Sequence, residues 1–471
     1  MSKLFDLGFR RTESEIVLES VPVRGKLPAW LWGTLLRNGP GTFEVGEQSY
    51  RHWFDGLAML HKFSIANGRV AYANKFLDCD AYRQARDTGK IAYSEFATDP
   101  CRSMFGRISS VFSPKVTDSA KVSIGRLAGH FLALAETPIQ VEFDPETLAT
   151  VGVFNFEDRL SGQMTTVHPQ FDQEQGSVYN VVTRYHQTSH YNIYCMEKEL
   201  KPRRVASLPV KQPAYMHSFG MTEHYIILAE FPLVVNPLNL LLWLRPYIEN
   251  FRWKPARGTP FWVIERKTGR LVGRYDSPPF FAFHHVNAFE QGDDIILDIV
   301  AYPDAQVLSS YYLNRLKDAN QRIPAGNLRR YRIPLRGKTA TYETLSSECM
   351  ELSHFDAGRF NMKPDYRYVY AMSVQSQEPY GFYNQLVKFD IATQATCFWF
   401  EQDCYPGEPV FVGKPGRVLE DDGVILSVVL DAANATSFLL VLDAQSFSEI
   451  ARAVLPQPVL IGYHGAFYED V

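Results

Sequence analysis

The chain has 471 residues, 46% of them hydrophobic and 21% charged, with a formal net charge of −4. That length suits two ordinary domains or one large closed β architecture. The balance excludes extended disorder, and the charge argues against nucleic-acid binding, which normally shows a basic excess.

Aromatic residues make up 14% of the chain, with 32 Phe and 25 Tyr. Such a share suits strands around a large apolar interior, or a site for an apolar ligand. The six cysteines form no CxxC pair, so zinc-ribbon and redox-pair chemistry carry no signal. With no secretory leader in the opening MSKLFDLGFRR, the expected setting is the reducing cytoplasm. The longest uncharged apolar stretch, 231–244, has 14 residues and is broken by Pro232, Asn236, Pro237 and Asn239. A spanning helix needs about 20. The expectation is a soluble or monotopic protein.

Along the chain, short runs of Val, Ile, Phe and Tyr alternate with Gly, Pro, Asp and Asn turns, which predicts an all-β fold. One unit recurs, an apolar strand ending in a polar turn. It reads HKFSIANG at 61, VEFDPET at 141, IYCMEKEL at 193, VIERKTG at 263, RRYRIPLRG at 329, VKFDIAT at 387 and VLDAQSF at 441. Taking Phe63, Phe143, Met196, Ile264, Ile333, Phe389 and Leu442 as markers, the gaps are 80, 53, 68, 69, 56 and 53 residues. Seven units of this length predict a seven-bladed β-propeller, each blade a four-stranded sheet with insertions. The expected organisation is a single domain over 1–471, with loops and short helices capping the axis.

Polar residues keep phase with these units. His168 follows Phe143 by 25 residues, His217 follows Met196 by 21, His284 follows Ile264 by 20 and His464 follows Leu442 by 22. Glu351 follows Ile333 by 18 and Glu408 follows Phe389 by 19. Equivalent positions on the innermost strands of a propeller converge on its axis, so four imidazoles and two carboxylates should meet there. Imidazole is a good ligand for first-row metals, and carboxylates commonly accept the far N–H of a ligating ring. Phase does not choose between His284 and its neighbour His285, whose side chains alternate on a strand. The chain contains no GxGxxG, Walker loop, HExxH or GxSxG, so nucleotide, zincin and α/β-hydrolase chemistries have no support.

The segments LPAWLWGTLLRNGPG (27–41), HWFDGLAMLHKF (52–63), VHPQFD (167–172), MHSFGMTEHYIILAE (216–230), FHHVNAFE (283–290), GEPVFV (407–412), EDDGVILS (420–427) and HGAF (464–467) together resemble the carotenoid cleavage oxygenases. The resemblance runs from about residue 17 to 468. It implies a seven-bladed propeller carrying Fe(II) on His168, His217, His284 and His464, and it favours His284 over His285. It also implies that Glu136 in LALAETP, Glu351 in CMELSHF and Glu408 in YPGEPVF bond to ligand rings. Around Glu351 the sequence departs from the family, with Leu-Ser following where Phe-Pro or Leu-Pro is usual. SEFATDPCRSMF (94–105) is most similar to the animal carotene oxygenases and the related retinoid isomerase.

The implied reaction is scission of one conjugated C=C bond of a carotenoid or apocarotenoid by dioxygen, giving two aldehydes. Central 15,15′ cleavage to retinal is favoured over 9′,10′ cleavage. Non-oxidative isomerohydrolysis of a retinyl ester on the same iron is the alternative. A metal-free propeller scaffold is the third reading, and the in-phase His and Glu set argues against it. Expected tunnel residues are Tyr215, Tyr405 and Thr137, whose aromatic members could stabilise positive charge on a polyene. Segments 100–114 and 231–253, with Leu240, Leu241, Leu242 and Trp243 at the centre of the second, form the expected membrane-surface patch.

Overall fold

A computed structural model of the chain describes every residue except 1–3, 13, 101–116, 157–159, 198–199, 242–244, 319–321 and 376–381. Seven antiparallel sheets follow one another around an axis, as the repeat predicts. All seven marker residues lie on the same strand of their blades, the third from the axis. This is the physical origin of the spacing. After the third strand the chain needs only one outer strand and one crossing to reach the axis again, so the distance to the next innermost strand is nearly fixed.

The innermost strands carry the site. In order they are Ser123–Leu127 in the second blade, Met164–Thr165 with Gln170–Asp172 in the third, and Gly220–Met221 in the fourth. His285–Gln291 serves the fifth, Glu351–His354 the sixth, and Cys404–Pro406 with Val410–Gly413 the seventh. The first blade borrows its innermost strand from the far end of the chain. Gly465–Tyr468 pairs with Gly33–Thr42, setting Arg37 opposite Gly465 and Thr34 opposite Tyr468. The seventh blade in turn takes its outermost strand from the beginning, where Val23–Gly25 pairs with Glu449–Val454. Each end of the chain thereby staples the other, and the ring closes.

The middle strands are buried on both faces because neighbouring blades pack against them. In Thr436–Asp443 the residues from Leu439 to Leu442 are all fully buried. Outer strands face water and alternate, as in Arg203–Val210. Among the described residues the α-helices are short and few: Asp80–Thr88, Pro237–Leu241, Gln306–Ser310, Leu313–Leu316 and Ala357–Phe360. Among the described residues no helix is long and apolar enough to cross a membrane, and none of the described cysteines forms a disulfide.

Candidate metal centre

The in-phase residues fall where the innermost strands are interrupted. In the third blade Thr165 pairs with Val182 and Gln170 with Tyr179, so the chain bulges out between them around His168. In the seventh, one extra residue separates the Pro406–Val429 and Val410–Leu426 pairs, and Glu408 stands there. In the sixth the ladder shifts between Glu351 and His354, and Leu352 adopts φ of 47°. A left-handed leucine is uncommon; here its N–H turns back to donate to Glu351 Oε1 (3.0 Å). His217, His284 and His464 each stand just before an innermost strand. Bulges re-aim side chains out of the pleat, and here the aim is the axis.

The four histidines meet there. One ring nitrogen from each of His168, His217, His284 and His464 lies within 4.8 Å of the others. The His168 ring centroid is 5.0 Å from His217, 5.0 Å from His284 and 4.5 Å from His464. Three rings are fixed from behind by carboxylates. His217 Nδ1 donates to Glu136 Oε1 (2.7 Å) and His464 Nδ1 to Glu408 Oε1 (2.8 Å). His284 Nδ1 donates to Glu351 Oε1. Glu136 also accepts from the Tyr215 hydroxyl, Glu351 from the Tyr302 hydroxyl, and Glu408 from Gly465 N–H. His285 turns the other way, to Ser218 Oγ (2.8 Å), so the geometry selects His284.

The hydrogen bonds set the tautomers. A ring that donates from Nδ1 to a carboxylate carries a lone pair on Nε2. His284 Nε2 and His464 Nε2 nevertheless face each other at 3.2 Å. Two lone pairs at that distance repel unless a cation lies between them. His168 Nε2 is also buried, with no hydrogen-bond partner among the described residues. Burial holds His168, His217 and His464 below the ordinary imidazole value, and His168 is pushed down further by the three facing rings. Burial alone would raise Glu351 and Glu408, but the facing imidazoles and their donors bring both below the usual carboxylate range. The donor set is therefore neutral nitrogen backed by anionic oxygen, which fits a divalent transition metal.

A cavity of about 260 Å³ opens onto the cluster, lined by His217, His284 and His464 and by Trp53, Phe54, Phe96, Phe283 and Tyr311 among others. Thr137 stands on its wall. Tyr215 instead lies behind the wall, 1% exposed and bonded to Glu136, where it positions a carboxylate. Tyr405 packs edge-on against Phe5 at 5.4 Å, away from the cavity lining. Leu240, on the short helix Pro237–Leu241, is half-buried, packs on the core and reaches the cavity. Leu242 and Trp243 lie outside the described residues, as do the side chain of Leu241 and nearly all of 100–114.

A propeller with four axial histidines, three of them seated on glutamates, defines the carotenoid-oxygenase class. The chain belongs to that family: the profile described as retinal pigment epithelial membrane protein matches residues 9–469. The chain is 34% identical to a mitochondrial carotenoid-cleaving dioxygenase of Mustela putorius furo, over 95% of this chain and 93% of the relative. It is also 34% identical to a beta,beta-carotene 15,15'-dioxygenase of Mus musculus, over 95% and 88%. Among solved structures, the cobalt-substituted apocarotenoid oxygenase of Synechocystis superimposes with a TM-score of 0.88 at 27% identity, covering 99% of this chain and 98% of the other. The donor set and this metal-bearing neighbour together mark the cluster as a metal site.

Proposed function

We propose that the protein is a non-haem Fe(II) dioxygenase that cleaves one conjugated C=C bond of a carotenoid or apocarotenoid into two aldehydes. The ligands are His168, His217, His284 and His464. The observation that carries this reading is the facing pair of carboxylate-fixed imidazoles, His284 and His464, whose Nε2 atoms meet at 3.2 Å beside an apolar cavity.

When bound, Fe(II) would supply the electrons that let dioxygen react with an alkene, and His168, His217, His284 and His464 would hold it. The chain supplies orientation and dryness. Glu136, Glu351 and Glu408 hold three rings in one tautomer and offset the ion's charge. Phe54 packs edge-on against Phe283 at 5.5 Å, and Phe283 stacks on Tyr311 at 6.0 Å, giving a wall that excludes water and offers π faces to positive charge on a polyene. No side chain has to deliver or take a proton.

Central 15,15′ scission to retinal is the favoured outcome over 9′,10′ scission, supported by the name of the Mus musculus relative. Mass analysis of products from β-carotene and an apocarotenal, with iron and oxygen uptake measured on the same sample, tests this. Two aldehydes with one O₂ consumed support dioxygenation, whereas a retinol formed from a retinyl ester without O₂ points to isomerohydrolysis. Full activity in a metal-free His217→Ala protein overturns the iron assignment.

The chain is taken to act as one domain over 1–471, in the cytoplasm and at a membrane surface. The exposed Leu238, 55% accessible and on the same short helix as the cavity-lining Leu240, supports the membrane-surface placement. Liposome binding should fall when Leu238 and Trp243 are changed to Ser, and unchanged binding counts against the patch.

A further inference from the structure

The wall of the cavity carries a buried ion pair that the metal site does not use. Lys121 and Glu95, 4% and 5% exposed, both line it. Lys121 Nζ donates to Glu95 Oε2 (2.6 Å) and, more weakly, to the Ser119 carbonyl (3.4 Å). Both partners are held from behind. Asp55 accepts from His52 N–H (3.1 Å), Ala97 N–H (2.9 Å) and the Thr98 hydroxyl (2.6 Å). That fixes the turn in which Glu95 N–H donates to the Thr98 carbonyl (2.8 Å). On the other side the Ser119 hydroxyl accepts from Ala58 N–H (3.0 Å) and donates to the Gly56 carbonyl (3.3 Å). The segment bearing Lys121 also abuts the metal centre, since the Val122 carbonyl accepts from His464 N–H (3.2 Å).

A buried ion pair costs desolvation that its own attraction repays only when the remaining donors and acceptors are satisfied. Here they are not. Among the described residues Glu95 Oε1 has no hydrogen-bond partner, and an ammonium with two acceptors still has a third N–H to give. Nearly all buried polar groups in proteins find a partner, so an unfilled acceptor beside an unfilled donor on a cavity wall describes the ligand that fits it. The complement is a group that donates and accepts at one atom, which is a hydroxyl. An unsubstituted hydrocarbon end would leave both groups bare, and a carbonyl could satisfy only the lysine. Burial pushes Glu95 up to about 7, against the lowering pull of Lys121 and of the Thr117 hydroxyl.

We infer that Lys121 and Glu95 form a specificity site that selects polyenes bearing a hydroxyl, which donates to Glu95 Oε1 and accepts from Lys121 Nζ. The inference rests on the reading of the cavity as a polyene site. It is tested with a series of apocarotenols of graded chain length, each beside the hydrocarbon of the same length, in tryptophan-quenching titrations and in turnover by the iron-loaded enzyme. At one favoured length the wild type should bind the alcohol at least about tenfold more tightly than the hydrocarbon. The volume-matched double variant Glu95→Met/Lys121→Met should erase that preference.

A wild type that binds alcohol and hydrocarbon alike at every length overturns the inference without any variant. So does a folded double variant that keeps the preference. Selective binding without cleavage leaves the specificity site standing and overturns the cleavage reaction. Cleavage without selectivity does the reverse, and no polyene binding at all overturns both.

Discussion

Three of the four axial histidines rest on a carboxylate, and those carboxylates are the residues most open to test. Replacing Glu136 with Ala frees His217 Nδ1 and leaves the Tyr215 hydroxyl without its acceptor. Fe(II) affinity should fall about 10–100-fold, read by titration against a chromophoric chelator, with the fold retained. Away from the metal, burial lowers His52 and His61 to about 3, His52 sealed by a bond to the Leu308 carbonyl and His61 by one to Tyr72. In the unfolded chain both titrate near 6.5. The unfolded state therefore binds more protons between those values, so stability is present above about pH 6.5 and is lost as pH falls. Each histidine removes up to about 1.4 kcal/mol per pH unit in that window. The urea midpoint should drop between pH 7 and pH 5, and His61→Gln should flatten part of that drop.

Single residues were unequally legible. The four histidines announced themselves because each stands a near-constant distance after a third strand. Glu136 keeps no such phase. It follows the strand His130–Leu134, the second of its blade, and only the family resemblance pointed to it. Lys121 and Glu95 were missed. The available signal was a lone lysine in the apolar run SAKVSIG, a place where an unpaired charge is costly; its partner, 26 residues earlier, leaves no trace of the pairing in sequence.

At the scale of elements, the third strand of each blade acts as a ruler, and its turn as the mark. Leu442, fully buried at that position in the seventh blade, should lose about 2–5 kcal/mol on change to Ala. The loss is measurable by chemical denaturation. The ruler fails once, and informatively. After Phe63 the next marker is 80 residues away instead of 53 to 69. The surplus is an insertion holding the helix Asp80–Thr88 and the turn that presents Glu95 and Phe96 to the cavity. The insertion thus broke the period and built one side of the tunnel. The bulges at His168, Glu351 and Glu408 were not legible either, because a one-residue shift in pairing depends on the partner strand and not on local composition.

For the molecule as a whole, the proposed metal would be coupled to the fold. The histidines come from the third, fourth, fifth and first blades, so a metal held by all four would tie together sheets that are not all neighbours in the ring. Anything that binds only the native state stabilises it by mass action. Free Fe(II) at a hundredfold excess over its dissociation constant should add about 2.7 kcal/mol. A chelator should lower the melting temperature accordingly, and His168→Ala should abolish the difference.

The stapling of the first blade by Gly465–Tyr468 has a consequence for biosynthesis. His464 immediately precedes that strand, and its backbone carbonyl accepts from Asn38 N–H across the seam. Until residues 464–468 have been made and can reach Gly33–Thr42, the chain holds three of the four axial histidines and an unlatched ring. If the centre takes a metal as proposed, full coordination has to wait for that latch, and the ion would become the final bolt in assembly.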